Sequence, residues 1–302
     1  LSAAHPEVRA LVGAWLAESR LSLPKPVTLV IDVAPLDVLP SDPRPAFMQG
    51  QVAIRGGGYG EPLELQWGDR FGRASLEAGS TTARVIISED GLARTNQLLR
   101  SFLLNVCILL FRRAGLHHVH GATLLDPRGR GWMLVGTSRS GKSTTTALLA
   151  KQGWHVGTDD IAFLCEPGAR GSIEVLAWRE RLALRDDVLE STGHFGGVSL
   201  GARRKTGWFP EELGTRWASC VTPTVLAFPT ASETRPTSAA PLGAKDALSR
   251  LMRSSPWVAL DAALADEHLR CMTQLVTQAG AWEVTLGRDL FDNPGLLLEL
   301  VG

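Results

Sequence analysis

Residues Gly136-Thr137-Ser138-Arg139-Ser140-Gly141-Lys142-Ser143 match the pattern GxxxxGK(S/T) without a mismatch. Glycines at those positions let main-chain amides converge on an anion, and the helix expected next adds roughly half an elementary positive charge at its N-terminus. Such a loop wraps phosphates. Lys142 would reach the β- and γ-phosphates of ATP or another nucleoside triphosphate, the Ser143 hydroxyl would join the coordination of Mg²⁺, and Thr144 would meet the α-phosphate. Arg139, at a variable position, either touches the nucleotide as well or is simply exposed. The flanks suit the motif: residues 132–135 read as the apolar strand entering it, and residues 142–151 as the helix leaving it.

A phosphate loop alone names no reaction, because ATPases, GTPases, transporters and kinases share it. The chain has neither an LSGGQ-like segment nor NKxD, which argues against an ABC-type ATPase and a small GTPase. It does carry two adjacent carboxylates, Asp159 and Asp160, 17 residues beyond Lys142, and His120-Gly121 begins 16 residues before Gly136. Phosphoryl transfer to a hydroxyl needs metal charge on the phosphates and a carboxylate to accept the hydroxyl proton. Two neighbouring aspartates can divide those tasks, since successive side chains of an extended chain point to opposite faces. The bland reading of the pair is an Asx turn between strands, and of His120 a structural histidine. Arg203, Arg204 and Lys205, in a glycine-containing basic loop, read equally as an anion clamp or as a solvated surface.

The elements that must position these groups follow from the rest of the chain. It has 302 residues with 44% hydrophobic and 21% charged, enough for two domains and incompatible with global disorder. Lys plus Arg and Asp plus Glu both number 31, so no net field draws the molecule to nucleic acid or to an anionic membrane. The four cysteines lie far apart, without zinc-site pairs or the density of a disulfide scaffold, and read as buried thiols. Residues 101–111 form the longest apolar stretch, about half the ~20 residues a bilayer span requires. No signal-peptide pattern opens the sequence, so a cytoplasmic protein is expected.

Residues 10–21 read as helix and 27–33 as strand, followed by strands over 47–55, 63–67 and 83–87 between glycine-rich turns. This makes residues 1–88 a small β-rich unit. A three- and four-residue apolar repeat over 89–113 predicts a long connecting helix, assigned to 89–116, before a second part spanning 117–302. There the reading gives strands at 154–158, 161–165, 173–177, 181–185, 225–228 and 282–286, helices at 244–252 and 262–278, and an exposed loop over 230–241. Trp15, Trp67, Trp132 and Trp154 fall in these elements and read as core.

The run His120-Gly121-Ala122-Thr123-Leu124-Leu125, the phosphate loop, and Gly153 through Asp159-Asp160 together resemble the C-terminal catalytic domain of HPr kinase/phosphorylase. The matching stretch, about residues 117–164, is under a fifth of the chain. The chain is more similar to the HPr-kinase-related branch, which includes kinases of lasso-peptide precursors, than to the bifunctional enzyme. Its loop continues Lys142-Ser143-Thr144-Thr145 where the family has KSE, and Trp178-Arg179-Glu180-Arg181 stands where the family has EIRGLG. The resemblance implies an α/β fold: a P-loop kinase core with a mixed sheet, preceded by the β-rich unit and connecting helix. It implies Asp159 as the base, Asp160 as a second polar anchor in a split that can be reversed, His120 beside them, and Glu180 as a metal-shell carboxylate. The activity implied is transfer from an NTP, with Mg²⁺, to a Ser-type hydroxyl on a ribosomally made peptide, and the resemblance also implies a homo-oligomer. A kinase of a small metabolite such as free serine, and a nucleotide-sensing module with little turnover, remain open beside it.

Overall fold

The computed structural model describes residues 1–37, 47–165, 171–185, 198–199 and 205–302. The chain forms two compact units, one of Leu1–His117 with Trp257–His268, the other of His118–Pro256 with Leu269–Gly302. The excursion of Trp257–His268 into the first unit has no counterpart in the sequence reading, where residues 117–302 run together.

In the first unit, helix α1 (Pro6–Ser19) starts on a proline with Glu7 in its first turn and ends at Arg20 in the left-handed region. Strands β1 (Ser2–Ala3), β2 (Thr28–Val33), β3 (Phe47–Gln49), β4 (Val52–Gly56), β5 (Leu63–Trp67), β6 (Gly72–Leu76) and β7 (Thr82–Ile87) form one sheet. Its order is β1-β2-β7-β6-β5-β4-β3, parallel across the first two pairings and antiparallel thereafter. Leu63, Leu65, Trp67, Ala74, Leu76, Ala83, Val85 and Ile87 alternate inward with the period of two that a one-sided core demands. The strand expected over 47–55 is instead the β3–β4 hairpin, turning at Gly50 with φ +61°.

The expected single helix over 89–113 is interrupted. It resolves into α2 (Glu89–Leu92), α3 (Thr95–Gln97), a π-helical turn at Leu98–Leu103 and α4 (Leu104–Arg112). Ser88 caps α2 by accepting from the Gly91 amide, and Arg94 leaves helical geometry where its guanidinium lies 4.3 Å from the centre of the Phe71 ring. The apolar repeat survives the break because it serves packing: Phe102 stacks on Trp67 with ring centres 5.6 Å apart. A Cβ at Gly72 would meet the same Phe102 ring at 2.7 Å.

The second unit is mixed α/β. Its main sheet contains β8 (Leu116–Leu125, whose first two residues fall in the first unit), β9 (Gly131–Val135), β10 (His155–Thr158), β11 (Ile161–Cys165), β12 (Glu174–Ala177), β16 (Cys220–Val221), β17 (Pro223–Ala231), β18 (Ser238–Pro241) and β19 (Gly280–Leu286). The order is β16-β12-β11-β8-β9-β17-β19-β18, with β10 also paired to β8. Three central strands, β9, β17 and β19, are parallel. A smaller sheet orders β13 (Leu182–Arg185), β15 (Lys205–Trp208) and β14 (Val198–Ser199) as β13-β15-β14.

Helix α5 (Lys142–Lys151) and the C-terminal α8 (Asp289–Asp292) and α9 (Leu296–Val301) share a core with Trp132, Leu134, Val225, Ala227 and Val284. Helices α6 (Ala244–Arg253) and α7 (Ala265–Gln278) contribute Ala247, Leu251, Met272 and Leu275 to another, with Met133, Val135, Leu226 and Phe228. Burial on both faces explains why β9 is apolar without alternation.

Residues 238–241, expected as loop, add β18 antiparallel to β19. The two C-terminal helices, of four and six residues, are too short for a three- and four-residue repeat to register, and β6, whose only larger apolar residue is Leu76, escapes the strand pattern. Arg203 and Arg204 lie outside the described residues, and only the backbone of Lys205 is described. Trp67, Trp132 and Trp154 are core, and Trp15 is half-buried on α1. The four cysteines are free thiols, two buried and two half-buried. Burial raises Cys107 to about 12, which leaves it unreactive. No described helix is long and apolar enough to cross a membrane.

Candidate functional site

The glycine loop joins the C-terminal end of β9 to the first residue of α5. Gly141 adopts φ +100°, a conformation that side chains resist, and it approaches Leu286 so closely that a Cβ would lie 2.6 Å from Cδ1. Arg139 also has positive φ, at +69°. Thr137, Ser138 and Arg139 are exposed, whereas Gly136, Ser140, Ser143 and Thr144 are half-buried. Lys142 is buried, and its ammonium donates to the Gly136 and Thr137 carbonyls at 2.6 and 3.1 Å. The cation is thus held against the loop that the motif assigns to phosphate.

The two aspartates occupy the bend between β10 and β11. Thr158 builds that bend: its hydroxyl accepts from the amides of Asp160 at 3.3 Å and Ile161 at 3.1 Å. Behind it, Thr158 donates its own amide to the Thr123 hydroxyl of β8, and a Cβ at Gly157 would collide with that hydroxyl at 2.3 Å. The carboxylates diverge. Asp159 is 4% exposed and accepts from the Ala183 amide of β13 at 3.3 Å, while the Asp160 side chain is 52% exposed.

Asp160 pairs with Nδ1 of His120 on β8, the strand beside β11. Main-chain bonds fix that register, from the His120 amide to the Ser254 carbonyl and from the Gly121 amide to the Asp160 carbonyl, at 2.9 and 3.1 Å. Crowding by the surrounding protein pushes the Asp160 carboxyl up. The His120 hydrogen bond and the positive fields of His120, His118 and Lys142 outweigh that push and hold it at about 2. Gly121 links the bend to the glycine loop, since it bonds to Asp160 and pairs with Val135, the residue before Gly136.

His118 lies buried behind the pair, edge-on to Phe163, with its pKa lowered to about 3, chiefly by burial and then by His120. His117 belongs to the first unit, where its Nε2 meets Glu267 at 2.9 Å and its ring lies 4.8 Å from that of His268. The contributions of Thr123, Thr158 and Ser254 are not among the site residues expected from the sequence. A threonine immediately before a pair of acids was the available signal for the turn.

Glu180 lies half-buried in the link between β12 and β13 and already engages a neighbour. On either side of it, Arg179 and Arg181 each place a guanidinium 4.2 Å from the centre of the Phe209 ring and pair with Glu211 and Glu212. These contacts anchor the segment that presents the Ala183 amide to Asp159.

Among the described residues no three His, Cys, Asp or Glu side chains gather as a metal cage. Mg²⁺ needs none, since it is commonly held by one or two carboxylates, substrate phosphates and water. Ionised Asp160 and the half-buried Ser143 hydroxyl are hard oxygen donors that suit it.

No known family's sequence profile matches the chain, and no curated protein matches it either. Among solved structures it is similar to the Hpr(Ser) kinase/phosphatase from Coxiella burnetii, at 10% identity and a TM-score of 0.31, over 61% of this chain and 93% of that one. A likeness of that size leaves the chemistry to this chain's own strands and side chains.

Proposed function

We propose that the protein is an NTP-dependent phosphotransferase that acts on a Ser-type hydroxyl. The observation that carries this reading is the tie between loop and bend: Gly121 pairs with Val135, the residue before the glycine loop that holds Lys142, and its amide donates at 3.1 Å to the carbonyl of Asp160, whose carboxylate is bound to His120. In the reaction the acceptor oxygen bonds to the terminal phosphorus, the bond from that phosphorus to the bridging oxygen breaks, and the hydroxyl proton passes to a carboxylate.

Asp159 is the base in this scheme and Asp160, bound to His120, the anchor; the burial of Asp159 against the Ala183 amide and the exposure of Asp160 favour the reverse split as the second reading. His120 orients Asp160. Lys142 and the amides of residues 136–141 steady the phosphates, with Thr144 beside them. Ser143 and Asp160 would hold Mg²⁺, with Glu180 as an outer carboxylate, and the metal would supply charge to the phosphate oxygens.

The acceptor we infer is a ribosomally made precursor peptide, met by the β-rich first unit. Among the described residues its sheet ends on β3, and an extended chain can pair with a terminal strand. The test is mass spectrometry of candidate peptides incubated with the protein, Mg²⁺ and ATP or GTP. Addition of a phosphoryl group to a peptide serine supports the reading. Transfer to free serine alone would move the acceptor to a metabolite, and binding without transfer to any acceptor would make the protein a nucleotide-responsive module.

A further inference from the structure

Three parallel strands end together beside the glycine loop. Strand β9 runs into Gly136, while β17 and β19 continue past it, paired to one another as far as Ala231 and Leu286. Leu286 lies under Gly141, and Ala231 Cβ would be 3.8 Å from a Cβ placed there. The segments leaving β17 and β19 therefore emerge at the same end of the sheet as the loop. In open α/β sheets ligands lie beyond the carboxyl ends of the strands.

Those two segments are fastened to each other. The Asp289 carboxylate accepts from the Thr237 amide at 3.0 Å and from its hydroxyl at 2.6 Å, and that hydroxyl accepts from the Gly287 amide at 3.0 Å. The Ser232 amide donates to the Leu286 carbonyl at 2.8 Å, and the Ser232 hydroxyl accepts from the Arg235 amide at 3.0 Å. Gly287 is enclosed so tightly that a Cβ would lie 2.5 Å from the Arg235 carbonyl oxygen. The hydrogen bond from Thr237 keeps the Asp289 carboxyl below the usual carboxylate range, so this fastening is present throughout neutral pH.

On this scaffold Arg235 and Arg288 are exposed. Arg288 follows Leu286 by two residues and Arg235 follows Ala231 by four, which puts them at most about 7 and 14 Å of chain beyond the two residues that a side chain at Gly141 would meet. A nucleotide whose phosphates fill the loop extends its sugar and base over a comparable distance. Guanidinium groups stack on planar rings and attract their π faces.

The geometry points to a nucleoside subsite formed by residues 232–237 and 287–289, in which Arg235 and Arg288 take the base and sugar of the donor nucleotide. This rests on the phosphotransferase reading given above and adds to it the part of the donor that lies beyond its phosphates.

The test compares two probes on the full chain by calorimetry with Mg²⁺ present: ADP, which has a nucleoside, and inorganic pyrophosphate, which has none. Wild type should bind ADP more tightly than pyrophosphate. The double variant R235A/R288A should lose about fivefold or more in ADP affinity while pyrophosphate affinity stays within about twofold. R128A, an exposed arginine in the β8–β9 turn, should change neither. Equal losses for both probes would assign the arginines to phosphate and overturn the subsite, as would no loss for either. Wild type that binds pyrophosphate but gains nothing from the nucleoside overturns the subsite and spares the phosphate loop. Wild type that binds neither probe overturns the proposed function, and the subsite with it.

Discussion

The glycine loop and the acidic bend sit in the same unit and face the same proposed reaction, yet they are built in opposite ways. Loop geometry comes from the backbone of eight consecutive residues, with Gly141 at φ +100° and Lys142 folded onto the carbonyls of Gly136 and Thr137. The bend gathers side chains and amides from separate strands: Thr123 and His120 from β8, Thr158 from β10, and Ala183 from β13. A local device can be read from spacing, whereas a gathered one depends on which strands become neighbours.

Lys142→Ala provides the largest break in that comparison. It should lower phosphoryl transfer on the order of 10³-fold, measured by single-turnover kinetics, with folding intact by circular dichroism. A loss under tenfold would move the chemistry away from the loop. Asp159→Asn should cost on the order of 10²-fold in the same assay while ADP affinity stays close to wild type. If Asp160→Asn removes transfer and Asp159→Asn does not, the two roles are reversed.

The bend also carries a pH signature. His118 stays neutral in the folded protein down to about 3, whereas an unfolded histidine takes up a proton near 6.5. Its contribution to stability is complete above pH 6.5 and is lost as pH falls from there toward 3, because the unfolded chain binds the extra proton. At pH 5 this amounts to about 2 kcal/mol. His118→Gln should flatten the fall in melting temperature between pH 7 and 5, and an unchanged slope would show that His118 does not drive it.

Smaller effects separate backbone from side chain. Gly141→Ala should cost about 1–2 kcal/mol in urea denaturation through its left-handed backbone alone, and more where the new Cβ meets Leu286. Thr158→Val should cost about 1 kcal/mol, as the amides of Asp160 and Ile161 lose their shared acceptor, and should reduce transfer more than it reduces ADP binding. Equal effects on transfer and binding would erase the distinction between loop and bend.

Several elements follow directly from local pattern. Strands β5 and β11 and helix α5 fall on residues 63–67, 161–165 and 142–151 as the apolar runs predict. Strand β18 escaped because Ser238-Ala-Ala-Pro has neither branched side chains nor alternation and is a strand only through β19. The break at Arg94 escaped because the apolar repeat records which residues face the core and does not record hydrogen bonding.

The chain by itself determined the glycine loop and the helix behind it, since steric freedom at glycine and the spacing of Lys142 and Ser143 act between near neighbours. It also determined that two carboxylates stand side by side. Only the tertiary structure decided that Asp159 turns inward to the Ala183 amide and Asp160 outward to His120, because those partners lie 24 and 40 positions away. Strand order brings them within reach, and strand order is set by how both faces of the sheet are buried.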